Sequence, residues 1–592
     1  MPPEPQPRRS ARTSPGALHE LGTGLADSSQ RGTLARQGGD AAAAAADLDW
    51  WRRGVVYQVY PRSFADGNGD GIGDLRGIIE HLDHLNDGSP ASLGVDAIWL
   101  SPIYPSPDFD FGYDVADYVG VDASYGTLAD FDAFVEASHE RGIRVILDLV
   151  LNHSSHLHPW FEASRSSRSG PYADWYIWAD SPGRSITGGH RRPNNWRSFF
   201  GGPAWTWDKT REQFYMHTFL PEQPDLNWRN PDVRAALMDV VRTWLERGVD
   251  GFRLDVFNVF FKDASLRSNP RRVGRLGAWS WQRHVHDRDQ PELADALAEL
   301  RALVDAYPGT MTVGELFDGS IREAAANVAP RHLIFDWSLI WPRWSAPAFR
   351  AAIAARDMVF GPDLWPANVL SNHDQPRHAS RFAPVAVSAA EGDGRAKIAA
   401  AMLLTLRGTA FLYYGEEIAQ RNLVVPNAGA FDPPARRAGL LFRWWNRDQC
   451  RGPMSWRGGP GAGFTTGRPW LPVAPDAASR NVARQSAEPD SVLSFYRQLI
   501  WLRRDTPVLG EGSQELIDVG DTDVLAYVRR LGDSSAMVLL NFASRPVTID
   551  VPPPGPGRSW RIALSTQQHG PADELGGRVT LNPLEAQVGL DG

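Results

Sequence analysis

Residues 250–257 read DGFRLDVF, a short apolar run that carries Arg253 and Asp255 two positions apart. A strand has a side-chain period of two, so both point the same way and the guanidinium can keep the carboxylate ionised. Seven other stretches are built alike: VVYQVYPRSF (55–64), DAIWLSP (96–102), RVILDLVLNH (144–153), MTVGELF (311–317), HLIFDW (332–337), ANVLSNHD (367–374) and TAFLYYGEE (409–417). Between them lie amphipathic stretches such as LADFDAFVEASHERG (128–142), with Phe131, Phe134 and Val135 at helical spacing and Gly142 placed for a C-terminal cap. Strands alternating with helices predict a parallel sheet. Eight such units predict an α/β fold, a closed (β/α)8 TIM barrel.

Three regions depart from this rhythm. Residues 154–222, after the third strand, are too many for a loop and rich in Trp, Pro, Gly and Ser, which predicts an inserted subdomain. Residues 508–592 read as short strands (VLAYVRRL, SSAMVLLNFA, VTIDV, RVTLN) separated by Gly, Asp and Pro, which predicts a C-terminal antiparallel β-sandwich. Residues 1–48 carry few large apolar side chains and end near the run Ala41–Ala46, so they are expected to be a disordered extension. The barrel is thus assigned to 49–153 and 223–507.

Charged residues make up 22% of the 592 and the net charge is −9 with no basic run, which argues against a nucleic-acid partner and for a small or neutral one. No uncharged apolar run approaches the roughly 18 residues that cross a bilayer; the longest, 398–414, is split by Arg407. The single cysteine, Cys450, cannot form an intrachain disulfide, and no apolar stretch follows Arg8-Arg9, so a cytoplasmic protein without membrane association is expected.

The active site of such a barrel lies at the C-terminal ends of its strands, and four strands here end in ionisable groups. These are Asn152-His153, Arg253 with Asp255, Gly314-Glu315 and Asn372-His373-Asp374. Any one of them alone could be a helix cap or an ordinary hydrogen-bonded side chain; together they suggest chemistry. Two carboxylates are the minimum for glycoside hydrolysis, one ionised to attack and one neutral to donate a proton. Like charges from Asp255 and Asp374 would raise the pKa of Glu315, casting it as the acid.

The motifs DLVLNH (148–153), GFRLDVFN (251–258), GELF (314–317) and SNHD (371–374), in that order, resemble the four motif regions of the α-amylase superfamily, glycoside hydrolase family 13, and the likeness extends over about residues 50–592. The resemblance implies that Asp255 is the nucleophile, Glu315 the general acid/base and Asp374 the transition-state stabiliser. QPDLNW (223–228) resembles the signature of the oligo-1,6-glucosidase and α-glucosidase branch, implying removal of single glucose units from short α-1,4- or α-1,6-linked oligosaccharides. By the same likeness DFGYD (110–114) supplies Asp110 and Tyr113 for the terminal glucose, joined by His153, Arg253, His373 and, in RDQCRGPMSW (447–456), Arg451. Val256, directly after the nucleophile, tends in this branch to accompany α-1,6 cleavage.

Asp66, Asn68, Asp70, Ile72 and Asp74 alternate with glycines as an EF-hand loop begins, but the twelfth position is Gly77. Relatives carry Ca2+ or Mg2+ in this loop, so a structural ion is implied; the plain alternative is a glycine-rich turn with Asp74 capping a helix. No organic cofactor is expected. Trp99, Trp160, Trp196 and Trp228 are candidate sugar platforms, with Trp160 placed best because it follows a strand. Two other functions compete. A glucosyltransferase or sucrose isomerase would use the same trio, although the arginine-rich loop of the isomerases is not evident in QPRHASRFAP (375–384). A non-catalytic relative would lack the trio.

Overall fold

In the computed structural model, residues 48–274, 279–327, 332–384, 387–426, 429–437, 446–567 and 573–591 are described. The expected disordered extension, 1–48, lies outside them apart from Leu48. Asp49–Gly592 form one compact unit.

All eight expected strands form. They are β1 (Val55–Val59), β2 (Ala97–Leu100), β3 (Arg144–Leu149), β7 (Gly251–Leu254), β8 (Met311–Gly314), β9 (Leu333–Asp336), β10 (Pro366–Val369) and β11 (Thr409–Tyr413), and β4 to β6 belong to the insertion. They close in the order β1-β11-β10-β9-β8-β7-β3-β2, parallel throughout. Parallel strands covered by helices are apolar on both faces, which is why VVYQV in β1 is wholly buried and does not alternate. The helix Leu128–Glu140 starts on a capping box in which Thr127 accepts from the Asp130 N–H, and Gly142 beyond its end takes φ +67°, a conformation glycine adopts without strain. Helix Pro231–Glu246 turns Val233, Leu237, Val241 and Trp244 to the core, one stripe at helical spacing.

Within the expected insertion, β4 (Trp178–Ala179), β5 (Trp205–Asp208) and β6 (Gln213–Met216) pair antiparallel around a small core of Trp196, Trp205, Phe214 and Met216. The loop after β7 pins it down: the Trp196 indole N–H donates to the Arg267 carbonyl (2.9 Å), and Asn195 donates to that of Asn269 (2.8 Å). Beneath, the fully buried Lys262 ammonium sits 2.7 Å from Asp225 and donates to Asn152 (2.8 Å), joining the end of β3, the return from the insertion and the loop after β7.

At the C-terminus β12 (Ser513–Ile517), β13 (Val524–Leu531), β14 (Ser534–Asn541), β15 (Val547–Val551), β16 (Trp560–Ser565), β17 (Glu574–Leu575), β18 (Gly577–Leu581) and β19 (Ala586–Asp591) make a six-stranded antiparallel sheet and a two-stranded one. Val524, Val528, Met537 and Leu539 pack against Val547, Ile549 and Leu581 of the smaller sheet. The alternate residues Leu525, Tyr527, Val538 and Leu540 join the main core, where the Tyr527 and Thr405 hydroxyls lie 2.6 Å apart. Among the described residues no helix is long and apolar enough to cross a membrane.

Because Asp225 is buried, Lys262→Met is expected to leave its charge uncompensated and to lower unfolding free energy by about 3–5 kcal/mol. Urea denaturation measures this; a loss below about 1 kcal/mol would show the pair to be dispensable.

Candidate active site

The three carboxylates singled out in the sequence converge on one cavity of about 1160 Å3 at the C-terminal mouth of the barrel. Asp255 and Glu315 are the first residues beyond β7 and β8, and their backbone N–H groups continue the sheet ladder by donating to Leu149 O (3.1 Å) and Leu254 O (2.9 Å). The barrel itself therefore fixes where these two side chains start. Asp374 follows β10 in a turn where the Asn372 side chain accepts its N–H (2.9 Å).

Arg253 lies behind the cavity floor, fully buried. Its Nη1 donates to Asp148 (2.6 Å) and to Asp255 (2.8 Å), and its Nη2 is paired with Glu315. The sequence reading placed like charges around Glu315; the structure sets a guanidinium directly against it. For Asp255 the expectation that Arg253 dominates is also corrected: burial pushes its pKa up to about 7, more than the Arg253 charge lowers it, and the neighbouring Asp148 and Asp374 charges add to the rise. Asp374 goes the other way. Burial raises it, but His373 and the guanidinium charges of Arg447, Arg451 and Arg253 outweigh that and hold it well below the usual carboxylate range.

Asp110, Tyr113 and His153 line the cavity, whereas Arg253, His373 and Arg451 stand behind its wall. Burial lowers His373 to about 3, so the ring is neutral at pH 7. Gln58 Nε2 donates to its Nδ1 (2.8 Å), leaving the ring N–H on Nε2, 2.6 Å from the Tyr113 hydroxyl, which donates onward to Asp148 (3.0 Å). Arg451 is the main correction. It reaches Asp374 (2.8 Å) from the protein side, with no exposed surface, and does not face the cavity.

Among the described residues the arginine that lines the cavity is Arg447, which lies outside the set that the sequence motifs single out. Its Nη2 is 2.6 Å from Asp110, its Nη1 3.1 Å from Asp374 and its Nε 2.8 Å from the buried Asp432, which also accepts the Arg447 backbone N–H (2.9 Å). It occupies the first position of a short turn, Arg447–Gln449, so it and Arg451 flank Asp374 from two sides. The signal was present in RDQCR, but only the fold brings Asp110 to it. Cys450 between them packs: burial pushes its thiol up to about 12, and it donates to the His373 carbonyl (3.3 Å).

Among the candidate platforms Trp99, Trp196 and Trp228 are core, and Trp160 packs at a tilt on His158 and edge to face on Trp175 without lining the cavity. Besides Tyr113, the aromatic lining comes from Phe199, Phe200, Phe219, Trp279, Phe317, Trp337 and Trp341. Val256 lines the cavity with φ +35° and ψ +41°, a left-handed conformation costly for a β-branched residue.

In the loop Asp66–Asp74 the side-chain oxygens face the loop's own amides: Asp66 accepts from Gly69 (2.6 Å) and Gly71 (2.7 Å), Asn68 from Asp70 (2.8 Å) and Asp70 from Ile72 (2.8 Å). Asp74 accepts the Gly77 N–H (2.7 Å) as the cap of the helix Leu75–Ile79. Among the described residues no three carboxylate, imidazole or thiol groups stand close enough to hold a metal by themselves.

Paired carboxylates above a (β/α)8 barrel fit glycoside hydrolysis, which needs two. The model of the α-amylase catalytic domain matches residues 58–512 and that of the maltogenic amylase C-terminal domain residues 514–588. The chain belongs to the α-amylase family. It is 42% identical to a probable α-glucosidase of Rhizobium meliloti (strain 1021), over 86% of this chain and 92% of that one. An oligo-1,6-glucosidase of Parageobacillus thermoglucosidasius is 35% identical over 91% and 98%. The crystal structure of an α-glucosyl transfer enzyme superposes with a TM-score of 0.82 at 39% identity, covering 92% of this chain and 99% of that one.

A nucleophilic role for Asp255 would require its ionised form, so activity would then fall as pH drops through its raised pKa. The acid limb of kcat/KM is expected between about pH 5 and 7, above the roughly 4 of an ordinary carboxylate. A limb near pH 4 would show that the Arg253 charge outweighs burial.

Proposed function

We propose that the protein is a retaining, exo-acting α-glucosidase of short oligosaccharides. One observation carries this reading: Arg447 clasps Asp110 and Asp374 together in the cavity that Asp255 and Glu315 also line, a charged clasp suited to the hydroxyls of a terminal sugar. The relatives named α-glucosidase and oligo-1,6-glucosidase support it. In this mechanism Asp255 attacks the anomeric carbon while Glu315 protonates the leaving oxygen. Glu315 then takes a proton from water, which hydrolyses the β-glucosyl-enzyme. Asp374, held ionised by its arginines, stabilises the positive charge that develops on the sugar. Val256 crowds the approach to the next sugar and biases linkage, a contact of about 1–3 kcal/mol, so both α-1,4 and α-1,6 bonds are substrates. Transfer of the glucosyl unit to a hydroxyl other than water is the second reading, favoured by the likeness to the glucosyl transfer enzyme.

The loop Asp66–Asp74 is proposed to hold a structural Ca2+ or Mg2+. Its donors suit a hard cation: the oxygens of Asp66, Asn68, Asp70 and Asp74, with the Ile72 carbonyl. When bound, the ion would brace the turn after β1 and take no part in the reaction.

Asp255→Asn is expected to lower turnover on maltose and isomaltose by several orders of magnitude with unchanged circular dichroism. Glu315→Gln is expected to keep far more activity on nitrophenyl α-glucoside, whose leaving group needs little protonation, than on maltose. Near-normal maltose turnover in either variant removes the assignment. A chelator is expected to lower Tm while activity at low temperature persists; an unchanged Tm in wild type argues against the ion.

A further inference from the structure

Two of the three carboxylates are placed by the barrel, and the third is not. Asp255 and Glu315 follow their strands directly, with backbone N–H groups still in the sheet ladder, whereas β10 ends at Val369 and Asp374 stands further out in the turn that follows. At the tip of that turn the Asn372 side chain accepts the N–H groups of Asp374 (2.9 Å) and Gln375 (2.8 Å), and Arg451 Nε donates to the His373 carbonyl (2.8 Å). These contacts shape the tip. A separate set holds the base.

The base is closed twice. The Glu416 carboxylate, 1% exposed, accepts the Ser371 hydroxyl on Oε1, and His378 Nδ1 lies 3.4 Å from the same oxygen. Ser371 lies just past β10 and His378 opens the helix His378–Phe382, so one oxygen ties the way into the turn to the way out. Arg381 does the same with carbonyls, donating from Nη2 to Leu370 and from Nε to Pro376 (3.1 Å). Burial lowers this guanidinium to about 10, and Glu416 is the charge that opposes the shift, so each closure supports the other.

Glu416 is itself presented by a turn with little freedom. Gly415 takes φ +82° and Ala419 φ +50°, left-handed at both ends of the short helix Glu416–Ile418, and that conformation is costly for alanine. The Arg377 guanidinium lies 4.6 Å from the ring centroids of both Tyr413 and Tyr414 and donates to the Tyr414 carbonyl (2.6 Å), joining the turn after β10 to the one after β11. Neither Glu416 nor Arg381 lines the cavity.

Resting on the glucosidase reading, we propose that Glu416 is a positioning residue: by closing the base of the turn through Ser371 and His378, it sets where Asp374 meets the sugar as positive charge develops there. Arg381 is the second closure of the same base. A carboxylate displaced by about 1 Å loses on the order of 100-fold in rate. The loss falls on kcat rather than KM, because the charge that Asp374 answers is present only in the transition state.

The test compares full-length wild type, Glu416→Ala, Glu416→Gln, Asp374→Asn and the double variant Glu416→Ala with Asp374→Asn on maltose and on nitrophenyl α-glucoside, with Tm measured for each. Glu416→Ala is expected to lower kcat about 100-fold with KM within about two-fold of wild type. Glu416→Gln keeps an oxygen for Ser371 and is expected to recover about ten-fold of that loss. In the Asp374→Asn background Glu416→Ala is expected to cost less than about two-fold more, since a group that acts through Asp374 then has nothing left to place. Should Glu416→Ala not fold, Arg381→Lys, which keeps the charge and loses the planar fork, takes its place in the kcat comparison and in the double variant. Losses that multiply in the double variant overturn the proposal and reduce Glu416 to a structural role, and an unchanged kcat in Glu416→Ala overturns it outright; both leave the glucosidase reading standing. Wild-type turnover in Asp374→Asn removes the group to be placed and overturns it too. Absence of glucose release from both maltose and isomaltose by wild type overturns the glucosidase reading, and this inference with it.

Discussion

The buried guanidinium of Arg253 is the contact on which the site depends. It is held at the end of β7 with no exposed surface to speak of, and it ties Asp148 of β3, Asp255 beyond β7 and Glu315 beyond β8 into one charge cluster. Three carboxylates that close together would repel one another and drag water into the barrel mouth; one cation among them makes the arrangement tolerable. Tyr113 and Trp99 cover it with their ring faces, at 5.8 and 5.4 Å, which keeps the cluster dry without removing its charge.

A second cationic centre balances the first. Arg447 and Arg451 flank Asp374 on the other side of the cavity and hold it charged, while Asp255, shared between one arginine and two further carboxylates, titrates higher. Two residues of one chemical type thus acquire different proton affinities from their surroundings. Asp432 earns its place indirectly, since it accepts both the Nε and the backbone N–H of Arg447 and so aims the guanidinium at Asp110 and Asp374.

The insertion completes the cavity, and its seat rests on a buried ion pair. Lys262 brings together Asp225 and Asn152, residues far apart in sequence, and the indole and amide contacts at Trp196 and Asn195 fix the outer part. Phe199 and Phe219 are thereby delivered against Phe317 from the opposite loop. The cavity is consequently polar where two barrel ends meet and apolar where the insertion meets the loops after β7 and β8.

Much of this was written in local pattern. The eight apolar runs, the capping box at Thr127, the Pro231 that opens a helix and the carboxylates one step past a strand can all be read along the chain, because hydrophobic periodicity and backbone chemistry act over a few residues. The family resemblance of the strand-end motifs likewise points to Asp255, Glu315 and Asp374, and the structure brings all three to one cavity. What only the tertiary structure decided depends on distance in space. Whether Arg447 or Arg451 would meet Asp110 turned on a segment folding across the barrel mouth, and which tryptophans would face the cavity turned on how the insertion docks. The sign of the Asp255 shift was set by burial competing with a charge. Desolvation sums over every atom that excludes water, and no sequence spacing reports that sum.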